Sequence, residues 1–126
     1  EILRGSVMTH NHPTDDWIKK SDPRWKGYSF SPDDIITAAE LQVAEARLVS
    51  FAYRYSMRPP RGGWDEKTAK EILLVYMRVR AKVAAELRRA VRLGLMLAEE
   101  AQASESHETW KRVASEMGLK YRRSRK

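Results

Sequence analysis

The chain has 126 residues, 42% apolar and 33% charged, which fits one soluble globular domain, and it contains no cysteine, which excludes disulfides, thiolate metal sites and a cysteine nucleophile. No window approaches about 18 uninterrupted apolar residues and no signal-peptide pattern opens the chain, so no membrane span and no leader are expected. Lys and Arg number 24 against 17 Asp and Glu, a net charge of +7 that serves phosphate contact or simply solubility.

The chain opens at Glu1 in "EILRGSVMTH", which reads like the middle of a strand, so a fragment of a longer protein is expected. Residues 2–9 alternate weakly and form a short buried strand leading into "HNHP", His10 to Pro13. In extended backbone residues i and i+2 share a face, so His10 and His12 can turn their rings to one side. Such a pair either helps to hold a metal, which would still need a carboxylate or a third histidine, or is a polar turn that contains imidazoles. Residues 13–30 read as a long polar loop in which Trp17, Trp25 and Tyr28 pack on something.

"SPDDIITAAELQVAEA" opens a helix, with Ser31 as cap, Pro32 in the first turn, and Asp33 and Asp34 favouring the positive end of the dipole. Ser31 and Asp34 have the spacing of a capping box. "RLVSFAYRYSM" is one strand or a tight hairpin, and "RPPRGGW" a turn. From Asp65 to about Ala101 the pattern is helical, with Ile72, Tyr76, Val79, Val83, Leu87 and Ala90 on one stripe and Gly94 as a bend or end. Such a rod would be roughly 50 Å long, more than a small core needs, which points to contact with another copy or with an absent N-terminal segment. Lys67, Arg78, Lys82 and Arg89 fall on another face, either solvated or a phosphate-binding ridge. "SESHETWKRVASEMG" forms a shorter helix capped by Ser104 or Ser106 and stopped at Gly118, with His107 in its first turn. "LKYRR" can make a final edge strand, while the basic "YRRSRK" end reads as a frayed tail or a nucleic-acid contact.

The fold class is therefore α+β, or α/β: a small sheet with a capped helix after the His-x-His turn, then one long and one short C-terminal helix. We read residues 1–126 as a single, N-terminally truncated domain, with a metal-site half over 1–63 and a helical half with a basic tail over 64–126.

His-x-His-Pro followed by Ser-x-x-Asp-Ile at a helix start resembles the JAMM metalloprotease motif, as it appears in RadC-like proteins. The resemblance implies zinc held by His10, His12 and Asp34, with Ser31 stabilising a developing oxyanion. Two features depart from it. The loop between His12 and Ser31 has 18 residues and is longer than the family's. The upstream glutamate that serves as general base has no counterpart except Glu1, nine residues before His10.

Nearly the whole chain, through "THNHP", "SFSPDDI", "YSMRPPRGGW" and "SHETWKRVASEMGLKYRR", is similar to the C-terminal region of phage head-morphogenesis (Mu F-like minor head) proteins. That similarity implies a phage or prophage origin, in the virion or the bacterial cytoplasm. It also draws His107 in, as a third ligand or a proton shuttle. Two functions stand side by side. One is a zinc-dependent hydrolase, a JAMM-like peptidase or a nuclease. The other is a non-catalytic phage module that binds nucleic acid or capsid proteins through the basic helix face and tail.

Overall fold

A computed structural model of the chain describes residues 5–11 and 17–126. His12 and residues 13–16 lie outside the described residues. The fold is α+β. The elements are β1 (Val7–Asn11), a 3-10 turn (Pro23–Lys26), α1 (Pro32–Glu40), β2 (Glu45–Val49), β3 (Tyr53–Arg58), α2 (Glu66–Arg92), α3 (Ala98–Met117) and β4 (Lys120–Arg125).

The strands form one mixed sheet in the order β1-β2-β3-β4. β1 runs parallel to β2, with α1 as the connection between them, and the other pairs are antiparallel. Ala46, Leu48, Tyr55 and Met57 are buried on one face, where they meet the helices. The alternate residues Arg47, Arg54 and Arg58 are exposed on the other. That is the alternation of a sheet with one wet face.

α1 starts as its sequence requires. Ser31 Oγ accepts from the Asp34 N–H at 3.3 Å, and the Asp34 carboxylate accepts from the Ser31 N–H at 2.9 Å, closing the capping box. The helix is shorter than its pattern. Gln42 takes φ +54°, in the left-handed region, and the N–H of Val43 returns to Ala38 O at 3.2 Å. That is a Schellman stop. It releases Val43, Ala46 and Leu48 to the core instead of leaving them on a helix surface.

The long helical stretch is two helices. Gly94, at φ +72°, ends α2, and the Leu95 N–H bonds to Ala90 O at 2.9 Å. The chain then enters α3, which has 20 residues and is not short. Its N-cap is Leu97, not Ser104 or Ser106. His107 accordingly sits in the middle of α3 rather than in its first turn. Gly118 takes φ +72° and ends the helix as expected. The basic C-terminal end is not a tail, because Lys120–Arg125 pairs with β3 along its length.

One core spans both sides of residue 63. It joins Ile35, Val43 and Leu48 to Ile72, Val83, Trp110 and Val113. Trp64 and Trp110 are buried anchors, each donating its indole N–H to a backbone carbonyl, Val43 O at 2.8 Å and Phe30 O at 2.7 Å. Trp25 stacks on Phe51 with ring centres 5.1 Å apart, whereas Trp17 is 66% exposed, with the Arg24 guanidinium over its ring. The outer side of α2 leaves Leu73, Leu74 and Met77 exposed. No helix among the described residues is long and apolar enough to cross a membrane.

Candidate metal centre

His10 is in register with Leu48, so its ring lies on the helix-covered side of the sheet, at the outer edge of β1. α1 packs on that side through Ile35, Ala38 and Ala39, all buried. The preceding residue, Asp34, stands in the first helical turn beside β1. The β1-α1-β2 crossover thus brings His10 and Asp34 together over 24 residues of sequence: His10 Nε2 is 3.8 Å from Asp34 Oδ1. The His10 side chain is 39% exposed and that of Asp34 12%.

The separation of 3.8 Å is too long for a hydrogen bond. Two donors bound at about 2.0–2.2 Å to one tetrahedral ion stand about 3.4 Å apart. The pair is within a few tenths of an ångström of that spacing. The other carboxylate oxygen of Asp34 accepts from the Ser31 N–H, which fixes how the acid is turned. His10 and Asp34 therefore fit two positions of a zinc site. Among the described residues no group of three His, Cys, Asp or Glu side chains comes together. His12, the expected third ligand, lies outside them, as does Glu1.

Ser31 is exposed beside Asp34. Its hydroxyl oxygen accepts a backbone N–H, which leaves its own proton to donate.

His107 is engaged elsewhere. Its Nδ1 is 2.8 Å from Tyr121 Oη, on β4, at the opposite edge of the sheet from β1. Three strand spacings separate those edges, roughly 14 Å. Tyr121 Oη is also 2.7 Å from Ser29 Oγ, and the Ser29 N–H donates to Ser106 Oγ at 3.0 Å. With the Trp110 bond to Phe30 O, these contacts tie residues 29 and 30 to α3 and β4, immediately before the Ser31 cap. Burial pushes the His107 pKa down to about 4, with the Arg123 charge adding to the effect. Burial likewise pushes the Tyr121 phenol up. Both are neutral near pH 7. His107 thus serves the segment that carries Ser31 and Asp34 through Tyr121 and Ser29.

Of the expected basic ridge on α2, Arg78 is answered by α3, whereas Arg89 is exposed and forms no ion pair among the described residues. Arg78 pairs with Glu116, Arg80 Nε is 2.9 Å from Glu105 Oε1, and Glu86 Oε2 is 2.7 Å from Arg112 Nη2. The Lys67 side chain lies outside what is described. Further cations without an acid among the described residues stand on the sheet, as Arg88, Arg89 and Arg92 do on α2. Arg54, Lys120 and Arg122 are exposed and form no ion pair among the described residues. Sequence reasoning missed this face, and also the parts played by Tyr121 and Ser29. The alternation within "LKYRRSR" was the available signal, since it sets Tyr121 inward and Arg122 outward once the segment is a strand.

No family model matches the chain, and no curated protein and no solved structure is significantly similar to it.

Proposed function

We propose that this domain is a zinc-dependent hydrolase with a JAMM-like site, in which His10, His12 and Asp34 hold the metal. The carrying observation is the 3.8 Å approach of His10 Nε2 to Asp34 Oδ1 across the β1-α1 crossover. It is supported by a helix start that orients the acid and leaves the Ser31 proton free to donate. Zinc held there would supply a bound water whose pKa is lowered to about 7. Asp34 and His10 would hold the metal, and Ser31 would donate a hydrogen bond to an oxygen that gains negative charge. His107 is a positioning residue. The bond cleaved is an isopeptide or a phosphodiester. The resemblance of the residue pattern to phage head-morphogenesis proteins supports a phage or prophage origin, in the virion or the bacterial cytoplasm.

Elemental analysis of protein purified without a histidine tag tests the site. About one zinc per chain is expected in the unaltered protein, with nearly complete loss in His12→Ala and in Asp34→Ala. Helical circular dichroism checks that the variants remain folded. Full zinc content in both folded variants would overturn the assignment. Chelator-sensitive cleavage of isopeptide-linked or phosphodiester substrates then tests turnover. The non-catalytic reading, a nucleic-acid-binding module, is favoured by one separate feature, the unpaired cations of the sheet.

A further inference from the structure

The face of the sheet turned away from the helices carries Arg47, Arg54, Arg58, Lys120 and Arg122 against a single acid among the described residues, Glu45. Glu45 is fully used. It accepts from the Ser56 hydroxyl, its Oε1 is 2.9 Å from Arg47 Nη2, and its Oε2 is 3.6 Å from Arg58 Nε. Arg54, Lys120 and Arg122 are left without an acid among the described residues.

The cross-strand register turns these side chains into rows. Thr9, Arg47, Ser56 and Arg122 are successive partners across all four strands, so hydroxyl and guanidinium alternate over roughly 14 Å. The next row runs Asn11, Val49, Arg54, Ser124. Between the rows lies a shallow depression of about 370 Å³ lined by Thr9, Arg47, Arg54, Arg122 and Ser124.

Stability does not account for this arrangement. Arg58 and Lys120 are direct cross-strand partners, and like charges facing each other weaken a sheet. On the helices Arg78, Arg80 and Arg112 each meet a glutamate, while Arg88, Arg89 and Arg92 at the end of α2 are exposed without an acid among the described residues and lack the interleaved hydroxyls of the sheet rows. Guanidinium groups interleaved with hydroxyls match phosphate oxygens, which accept from both. Among the described residues of the four strands this face carries no aromatic side chain and so no platform on which unpaired bases can stack. A duplex presents the denser array of phosphates and needs no stacking.

We infer that the open sheet face binds the phosphate backbone of double-stranded nucleic acid, without regard to sequence, through Arg54 and Arg122 with Arg47, Arg58 and Lys120 beside them. The inference is independent of the metal centre, which lies on the other side of the sheet.

Fluorescence anisotropy with a labelled 20-base-pair duplex of arbitrary sequence tests it, with chelator and with zinc in parallel. The unaltered protein should bind equally in both, with an affinity that falls by a slope of about 0.9 per phosphate contact on a log–log salt plot. Arg54→Gln/Arg122→Gln should bind at least tenfold more weakly, with the slope reduced by about 2. Arg54→Glu/Arg122→Glu should abolish binding. Arg54 and Arg122 are exposed and form no ion pair among the described residues, so both variants should fold, as circular dichroism will report. Arg89→Gln/Arg92→Gln, with the same charge change on α2, should bind as the unaltered protein does. The inference is overturned by an unaffected Arg54/Arg122 variant, by an equal loss in the α2 variant, by a preference for single strands, or by binding to phosphatidylserine vesicles but not to duplex.

Discussion

His107 and Tyr121 show how a residue's surroundings decide its role. A histidine is the side chain best suited to switch near neutral pH. In this fold burial removes that ability and pushes the pKa down to about 4, from an ordinary 6.5. The folded chain therefore keeps His107 neutral at pH 5, where the unfolded chain protonates it. Proton uptake by the unfolded state alone makes stability fall as pH drops from about 6.5 to about 4. After allowance for solvent at a half-buried ring, the loss is on the order of 1–2 kcal/mol. Urea unfolding at pH 7.5 and pH 5 should show a larger loss for the unaltered protein than for His107→Gln, whose amide can still meet the Tyr121 hydroxyl. Equal losses in the two proteins would mean that His107 titrates normally in the fold. Ser31 and Asp34 illustrate the reverse, residues whose local role was legible. Their spacing specified the capping box, and the same box orients the Asp34 carboxylate toward His10.

The start signals of elements were local and therefore readable, whereas several stops depended on what lay across the core. Pro32 and Ser31 placed the start of α1 directly. Its end did not follow from helix periodicity, because Val43, Ala46 and Leu48 are apolar at spacings that suit a helix as well as a strand. The sheet claims them, and Gln42 bears the conformational cost at φ +54°. Left-handed backbone costs a non-glycine residue roughly 1–2 kcal/mol, partly offset by the extra freedom glycine gains when unfolded. Gln42→Gly should therefore raise stability by about 0.5–1 kcal/mol, seen as a higher urea midpoint with an unchanged slope. A lower midpoint would show that the Gln42 side chain contributes more than the backbone strain costs. The α2–α3 boundary followed a stronger signal, Gly94 in the left-handed position. Reading past it merged two helices, since residues 98–103 keep a helical composition. The serines at 104 and 106 then resembled caps, although Ser104 bonds back to Glu100 O within the helix and Ser106 receives the Ser29 N–H.

At the scale of the molecule, α3 and β4 hold the segment that carries the candidate centre. Trp110 is fully buried and donates to Phe30 O, one residue before the Ser31 cap. Trp110→Phe keeps most of the apolar volume but leaves that carbonyl without its donor. It should cost about 1–3 kcal/mol in chemical denaturation. On the proposed function it should also weaken zinc binding in a chelator competition, because the start of α1 is less firmly held. Unchanged stability would show that Phe30 O finds another donor.

The sequence by itself determined a class of helices with a small sheet, α+β or α/β, the cap of α1 and the stop at Gly118, because each depends on near neighbours along the chain, and it left residues 47–57 as one strand or a hairpin. It also singled out His10 and Asp34 as residues that could meet. Only the tertiary structure decided that they stand 3.8 Å apart, that His107 faces Tyr121, and that the basic end becomes the fourth strand. Sheet order and helix packing set those distances, and both arise from burial of one shared core by residues far apart in the chain. The same distinction governs charge. Composition fixed the net excess of cations, but pairing between α2 and α3 neutralises part of it and strand register gathers five further cations on the open face of the sheet.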